Sequence, residues 1–161
     1  MWLYVWEGIR VVVLPIFLAL IVVIINNRRA DKADKEDGQK EAALYLARAK
    51  TVLMNSKKLE QTVEKGERIE DELRALDPDS QEYVTKESNN TDFFSNEFYD
   101  ISELTLKSYG ILSGTQIDKL PLEVYKKCVV SNEFKNHKTD INRAISELEE
   151  AIEALEQYLK N

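Results

Sequence analysis

The hydrophobic pattern is uneven, and its strongest feature comes first. Val11 to Ile25 reads VVVLPIFLALIVVII, fifteen residues without a charge. As a helix this run covers about 22 Å, short of a hydrocarbon core of about 30 Å. Extended back to Trp2 it reaches about 36 Å, enough to span a bilayer with some tilt. The extension contains Trp2, Tyr4 and Trp6, amphipathic aromatics of the kind that settle at membrane–water interfaces. Glu7 and Arg10 stand one helical turn apart near the outer boundary, and Pro15 and Phe17 lie within the apolar run. A soluble-core helix would keep a polar face, and this stretch has none. A cleaved secretory signal would begin basic and end on small residues, whereas this one contains Glu7 and ends Asn26-Asn27-Arg28-Arg29. The pattern therefore predicts a transmembrane anchor over residues 1–27. Arg28, Arg29, Lys32 and Lys35 follow it, against Arg10 alone before it. By the positive-inside tendency the N-terminus is expected outside and the C-terminal domain in the cytoplasm, with the protein in the inner membrane.

Beyond the apolar run the period changes. Residues 28–40 are polar and read as a juxtamembrane linker that can continue the helix. From Glu41 to Leu76, apolar or small residues recur at Ala42, Leu46, Ala49, Leu53, Ser56, Leu59, Val63, Gly66, Ile69, Leu73 and Leu76. Steps of three and four predict one long helix, which Asp77-Pro78-Asp79 ends because proline disfavours the helical conformation in the residue before it. A short helix over Asp79–Glu87, capped by Asp79 or Ser80, is followed by an expected break at Ser88-Asn89-Asn90-Thr91. Asp92 to Tyr109 then reads as a helix with Phe94, Phe98, Ile101, Leu104 or Thr105, and Ser108 on one side, and with Gly110 as its C-terminal cap. Pro121 suits the first turn of a helix reaching Phe134, interrupted at Asn136, His137 and Lys138.

The final segment carries the cleanest amphipathic signal of the remaining chain. Ile141, Ile145, Leu148, Ile152, Leu155 and Leu159 step by 4, 3, 4, 3 and 4, a heptad seam flanked by glutamates. Such a seam packs inside an intramolecular bundle or serves as an interaction face for a partner or a second copy. The expected fold class is thus all-α. A single N-terminal transmembrane helix precedes a helical-bundle or helical-hairpin soluble domain over residues 41–161, which ends in the heptad helix.

Charge narrows the partners. Residues 1–30 hold Glu7 against Arg10, Arg28 and Arg29, which leaves 28 acidic and 19 basic side chains, net −9, in the remaining 131 residues. So acidic a domain is a poor nucleic-acid binder, because phosphate contacts need an excess of Lys and Arg. Five glycines and three prolines fit helices joined by few loops.

The residues also limit the chemistry. One cysteine, Cys128, forms no internal disulfide and reads first as a small buried apolar residue. The single histidine, His137, lies nine residues away without further ligands, too few for zinc. Glycine-rich phosphate loops and Glu-x-x-His pairs for a di-metal bundle are both missing from the sequence. Asn89-Asn90-Thr91 matches a glycosylation acceptor but reads better as helix-capping residues. No cofactor is expected, and no residue set nominates an enzyme.

Phe93 to Leu104, FFSNEFYDISEL, followed by Tyr109-Gly110-Ile111 and Gln116-Ile117-Asp118, resembles a family of uncharacterised bacterial and phage proteins with one N-terminal span and a helical domain. Asn96 and Asp100 occupy the matching polar positions. Ser95 stands where an aliphatic residue is usual, and Asp100 where Glu is commoner. The resemblance implies a helical, membrane-tethered, cytosolic domain and carries no activity with it. The expected function is a membrane-tethered scaffold or accessory subunit, held to the bilayer by its N-terminal helix and working through a protein partner or self-association. The alternative is a phage lysis protein of the inner-membrane spanin kind, whose helical domain would be periplasmic.

Overall fold

The computed structural model describes residues 2–130 and 138–160; for residues 2–18, 130 and 138–140 it describes the backbone alone. The described residues are all-α and contain no strand. Helix α1 runs Trp2–Arg74, α2 Gln81–Asp92, a π-helical turn Phe93–Phe98, α3 Tyr99–Ser113, α4 Leu122–Val130 and α5 Lys138–Lys160. They divide into two compact units, Met1–Gly38 and Gln39–Asn161.

In the first unit, the side chains from Leu20 to Ile25 are all exposed, and Lys32 and Glu36 pair one turn apart at 3.8 Å. Among the described residues, no helix is long and apolar enough to cross a membrane. This corrects the expected inner-membrane location. Ala19 to Ile25 form an apolar stretch of α1 with every side chain exposed. Asn26, Asn27, Arg28 and Arg29 follow it directly on the same helix, with their side chains exposed. The lysis-protein alternative rests on the same span. The anchor readings that depend on the side chains of Trp2, Tyr4, Trp6, Glu7, Arg10, Pro15 and Phe17 lie outside the residues whose side chains are described. Residues 28–40 are part of α1.

The second unit is a helical bundle built on α1. The buried positions of α1 include Ala42, Tyr45, Ala49, Val52, Asn55, Ser56, Leu59, Thr62 and Leu73. Steps of three and four keep this face turned to one side. Compared with the stripe read from sequence, it is rotated: Tyr45 and Val52 are buried, while Leu46 and Leu53 are only partly so. Asp77-Pro78 ends the helix as expected, and Ser80 caps α2 by accepting the backbone N–H of Tyr83 at 3.0 Å. That contact satisfies one of the donors that helix starts leave open.

From Gln81 to Ser113 the chain returns along α1. Arg48 meets Thr115, Asn55 meets Thr105, Lys65 pairs with Glu97, and Glu72 pairs with Lys86. The partner number falls as the α1 number rises, so the two arms are antiparallel. The expected break at Ser88–Thr91 is not there. Hydroxyls that compete with the backbone in other settings instead bond the carbonyl four residues back, Thr85 to Gln81, Thr91 to Glu87 and Ser95 to Thr91, and the helix continues. Nor does Gly110 end α3. The helix runs on to Ser113 with Gly114 as its cap, which brings Leu112 into the core, fully buried.

The π turn is bounded by Phe93 and Phe98. Gly66 makes room opposite: a Cβ there would sit 3.2 Å from both the Phe93 and Phe94 rings. Phe94 packs edge-on against Phe93 and Phe98, and the Lys65 ammonium lies 4.8 Å from the Phe93 ring centre.

Helix α5 closes the bundle. Ile141, Ala144, Ile145, Leu148, Ala151 and Leu155 are buried, and Ile152 and Leu159 pack against the same core from its edge. Lys50 pairs with Glu156 and Lys57 with Glu149, so α5 also runs antiparallel to α1. Each fully buried Leu in such a seam contributes about 1.5–3 kcal/mol relative to exposure. Helix α4 packs against α5.

Candidate functional site

The corner between α3 and α4 is held by one face of α1. Glu41, Tyr45 and Arg48 stand at i, i+4 and i+7 and so point the same way. The Glu41 carboxylate accepts the backbone N–H of Lys119 at 2.8 Å. The Tyr45 hydroxyl donates to the backbone carbonyl of Cys128 at 2.7 Å, fully buried. Arg48 donates to the Ile111 carbonyl at 3.3 Å and to the Thr115 hydroxyl at 2.7 Å. A cation suits this end of α3, where the last carbonyls lack helical partners and the helix dipole is negative. The corner needs such ties because its backbone leaves regular structure between Gly114 and Pro121.

With the corner fixed, α4 turns Val124 and Cys128 inward and Leu122, Tyr125 and Val129 outward. The outward three recur at i, i+3 and i+7, a second apolar stripe on a nine-residue helix. Leu122 keeps 64% of its surface exposed. Tyr125 and Val129 form one wall of a groove of about 350 Å³, and Ser113, Thr115, Ile117 and Asp118 are on its other side. A second groove, of about 310 Å³, lies between α1, α3 and α5. It is lined by Leu59, Val63, Phe98, Ser102, Leu106 and Ile141. A smaller hollow of about 160 Å³ is charged, with Lys126 and Lys127 facing Glu147 and Glu150.

These hollows offer contact surfaces more readily than reactive groups. Among the described residues, no three His, Cys, Asp or Glu side chains come together to hold a metal ion. Cys128 is fully buried, and desolvation pushes its thiol up to about 12. At neutral pH it therefore stays protonated, and the thiolate is the nucleophilic form. His137 lies outside the described residues. Tyr109 is buried too, and loss of water pushes its phenol up while the nearby Ser56 hydroxyl opposes the shift.

The sequence-derived interaction seam is occupied within the bundle. Ile141, Ile145, Leu148 and Leu155 are buried against α1 and its neighbours, with Ile152 and Leu159 at the margin. Asn96 and Asp100 are exposed, the first on the π turn and the second in the first turn of α3. Arg28 and Arg29 are exposed on α1. Sequence reasoning missed the outward stripe of α4 because inward and outward apolar residues alternate there, and only the packing separates them. It also missed the triad on α1, although the spacing of Glu41, Tyr45 and Arg48 on one helix face was visible.

No protein-family model matches the chain, and no curated protein and no solved structure matches it. The resemblance around Phe93–Leu104 therefore brings no assigned activity to the site.

Proposed function

We propose that the unit Gln39–Asn161 is a helical interaction module that works by protein contact, as a scaffold or accessory subunit, with no chemistry of its own. The outward apolar stripe of α4 carries this reading. Leu122, Tyr125 and Val129 cover no core of their own, yet the corner beneath them is tied to α1 by three buried or partly buried side chains. A rigidly held apolar stripe beside a groove is a suitable contact site, because little ordering remains to be done on binding. The partner is expected to be a protein, in keeping with an acidic surface unsuited to nucleic acid.

Site-specific photocrosslinking in cells tests the proposal. A photoreactive residue at Tyr125 is expected to give a discrete crosslinked species that Leu122→Glu abolishes. The same probe at Lys58, an exposed position of α1, is expected to give none. Equal crosslinking at both positions, or a Tyr125 adduct indifferent to Leu122→Glu, refutes it. Circular dichroism on Leu122→Glu shows whether the fold is intact, as its exposed site requires.

A further inference from the structure

The core of the unit Gln39–Asn161 narrows partway along. Its larger apolar cluster, near α4, joins Ala42, Tyr45, Ala49 and Val52 to Tyr109, Leu112, Leu148 and their neighbours. A second cluster contains Leu59, Ile141 and Ile145, with Val63, Phe98 and Ile101 packed on it, and the half-buried Leu53 touches both. Between Val52 and Leu59 on α1 come Asn55 and Ser56, both buried. Between Tyr109 and Ile101 on α3 come Ser108 and Thr105, also buried. The antiparallel register puts these residues at one level of the bundle, and Thr105 reaches Asn55 there.

The hydrogen bonds at this level run both within α3 and across to α1, where the Ser56 hydroxyl meets Tyr109. Thr105 donates to the Ile101 carbonyl at 2.8 Å, and Ser108 donates to that of Thr105 at 2.7 Å. The bond from Thr105 across to the Asn55 carbonyl is long, 3.4 Å. Bonds within a helix survive when that helix undocks, so they add little to the docking itself. Buried apolar side chains behave differently, because undocking returns them to water. Beyond the polar level the packing is also thin. Helix α2 buries no residue, and the groove of about 310 Å³ opens beside Leu59 and Ile141.

We propose that this hydroxyl level is a boundary of cooperativity built into the fold. The distal part comprises α1 beyond Ser56, α2, the π turn and Ile141–Ile145 of α5. It opens as a unit while the part around α4 stays folded. Regions with few buried apolar contacts open at lower free energy than the whole molecule. Opening here presents Leu59, Phe98, Ile101 and Ile141 as a transient apolar surface.

Native-state hydrogen exchange on the intact chain, in the regime where reclosing outpaces exchange, tests the idea. Amides of Leu59–Leu73 and Tyr83–Ile101 are expected to exchange at least tenfold faster than the slowest amides of Tyr45–Val52, Tyr109–Leu112 and Leu148–Leu155. Replacing the level with apolar residues, Ser56→Ala with Thr105→Val, is expected to shrink that ratio at least threefold. The exposed control Lys58→Ala is expected to leave it unchanged. Rates within threefold of one another in the unaltered protein overturn the proposal, and so does a ratio indifferent to the apolar pair. Should the double variant fail to fold, Thr105→Val alone carries the same comparison.

Discussion

Removing one oxygen atom from Tyr45 should weaken the whole second unit by a measurable and bounded amount. The Tyr45 ring lies in the main core with no exposed surface, and its hydroxyl donates to the Cys128 carbonyl at 2.7 Å. Cys128 lies on α4, so this bond fastens that helix to α1. Tyr45→Phe keeps the ring and leaves no sizeable cavity, so the loss is that of a buried hydrogen bond, about 1–2 kcal/mol. Tyr45→Ala would add the cavity and cost about 3–5 kcal/mol. In a unit of this size each kcal/mol lowers the melting temperature by about 3–5 °C. Thermal unfolding followed by circular dichroism should therefore show Tyr45→Phe melting roughly 3–10 °C below the unaltered protein, and Tyr45→Ala well below that. A Tyr45→Phe melting temperature within about 1 °C of the original would refute the claim that this bond docks α4.

Further predictions follow from packing and charge. Leu148→Ala, at a fully buried position, should cost about 2–5 kcal/mol by urea denaturation, and a loss under 1 kcal/mol would deny α5 its place in the core. Gly66→Leu should destabilise by at least about 2 kcal/mol, because even a Cβ there meets the Phe93 and Phe94 rings at 3.2 Å. Gly66→Ala should change stability by less than about 1 kcal/mol, since better helix propensity offsets the crowding. Cys128 should resist aromatic disulfide reagents at pH 8 until the protein is denatured. Its thiol is raised in the fold, so its contribution to stability is complete below the unfolded value of about 8.5 and is lost as pH rises from there towards 12. Glu156 should titrate below an ordinary glutamate, because Lys50 hydrogen-bonds and attracts its charged form. The contribution of that exposed pair is present above the usual glutamate range and disappears as pH falls through the lowered value. Carbon-detected NMR titration should show Lys50→Met raising the Glu156 value back.

Several elements were legible in the sequence because one local cause decides each of them. Pro78 stops α1, Ser80 caps α2, and the isoleucines and leucines from Ile141 to Leu159 have a single sensible inward face. Where two causes competed, the pattern misled. Ser88 to Thr91 has the composition of a break, yet back-bonding hydroxyls and the return along α1 kept the helix whole. Gly110 has the chemistry of a cap, but burial of Leu112 carried α3 three residues further. On α1 the smaller shift from Leu46 and Leu53 to Tyr45 and Val52 was hidden because both sets keep helical period, and only the partners on α3, α4 and α5 select between them. The inner-membrane assignment went further astray. It read an apolar run for what such runs most often do, and no described helix has the length and apolarity to do it. The α4 stripe was illegible for a different reason: a nine-residue amphipathic helix with apolar residues on two sides gives no clue from sequence as to which side is covered.

The three ties from α1 to the α3–α4 corner have a consequence for how this molecule can change. Glu41 holds a backbone N–H of Lys119, Tyr45 holds a backbone carbonyl of Cys128, and Arg48 holds a backbone carbonyl of Ile111. Apart from the Thr115 hydroxyl, the corner contributes main-chain atoms, which every residue type but proline supplies in full. Three α1 side chains thus secure the path of the corner whatever side chains the corner displays. Gln116 and Asp118, exposed beside the groove, can be rewritten without loosening it. The arrangement is that of a frame with an exchangeable rim, in which a new specificity could be reached by single substitutions at the rim while the frame keeps its stability.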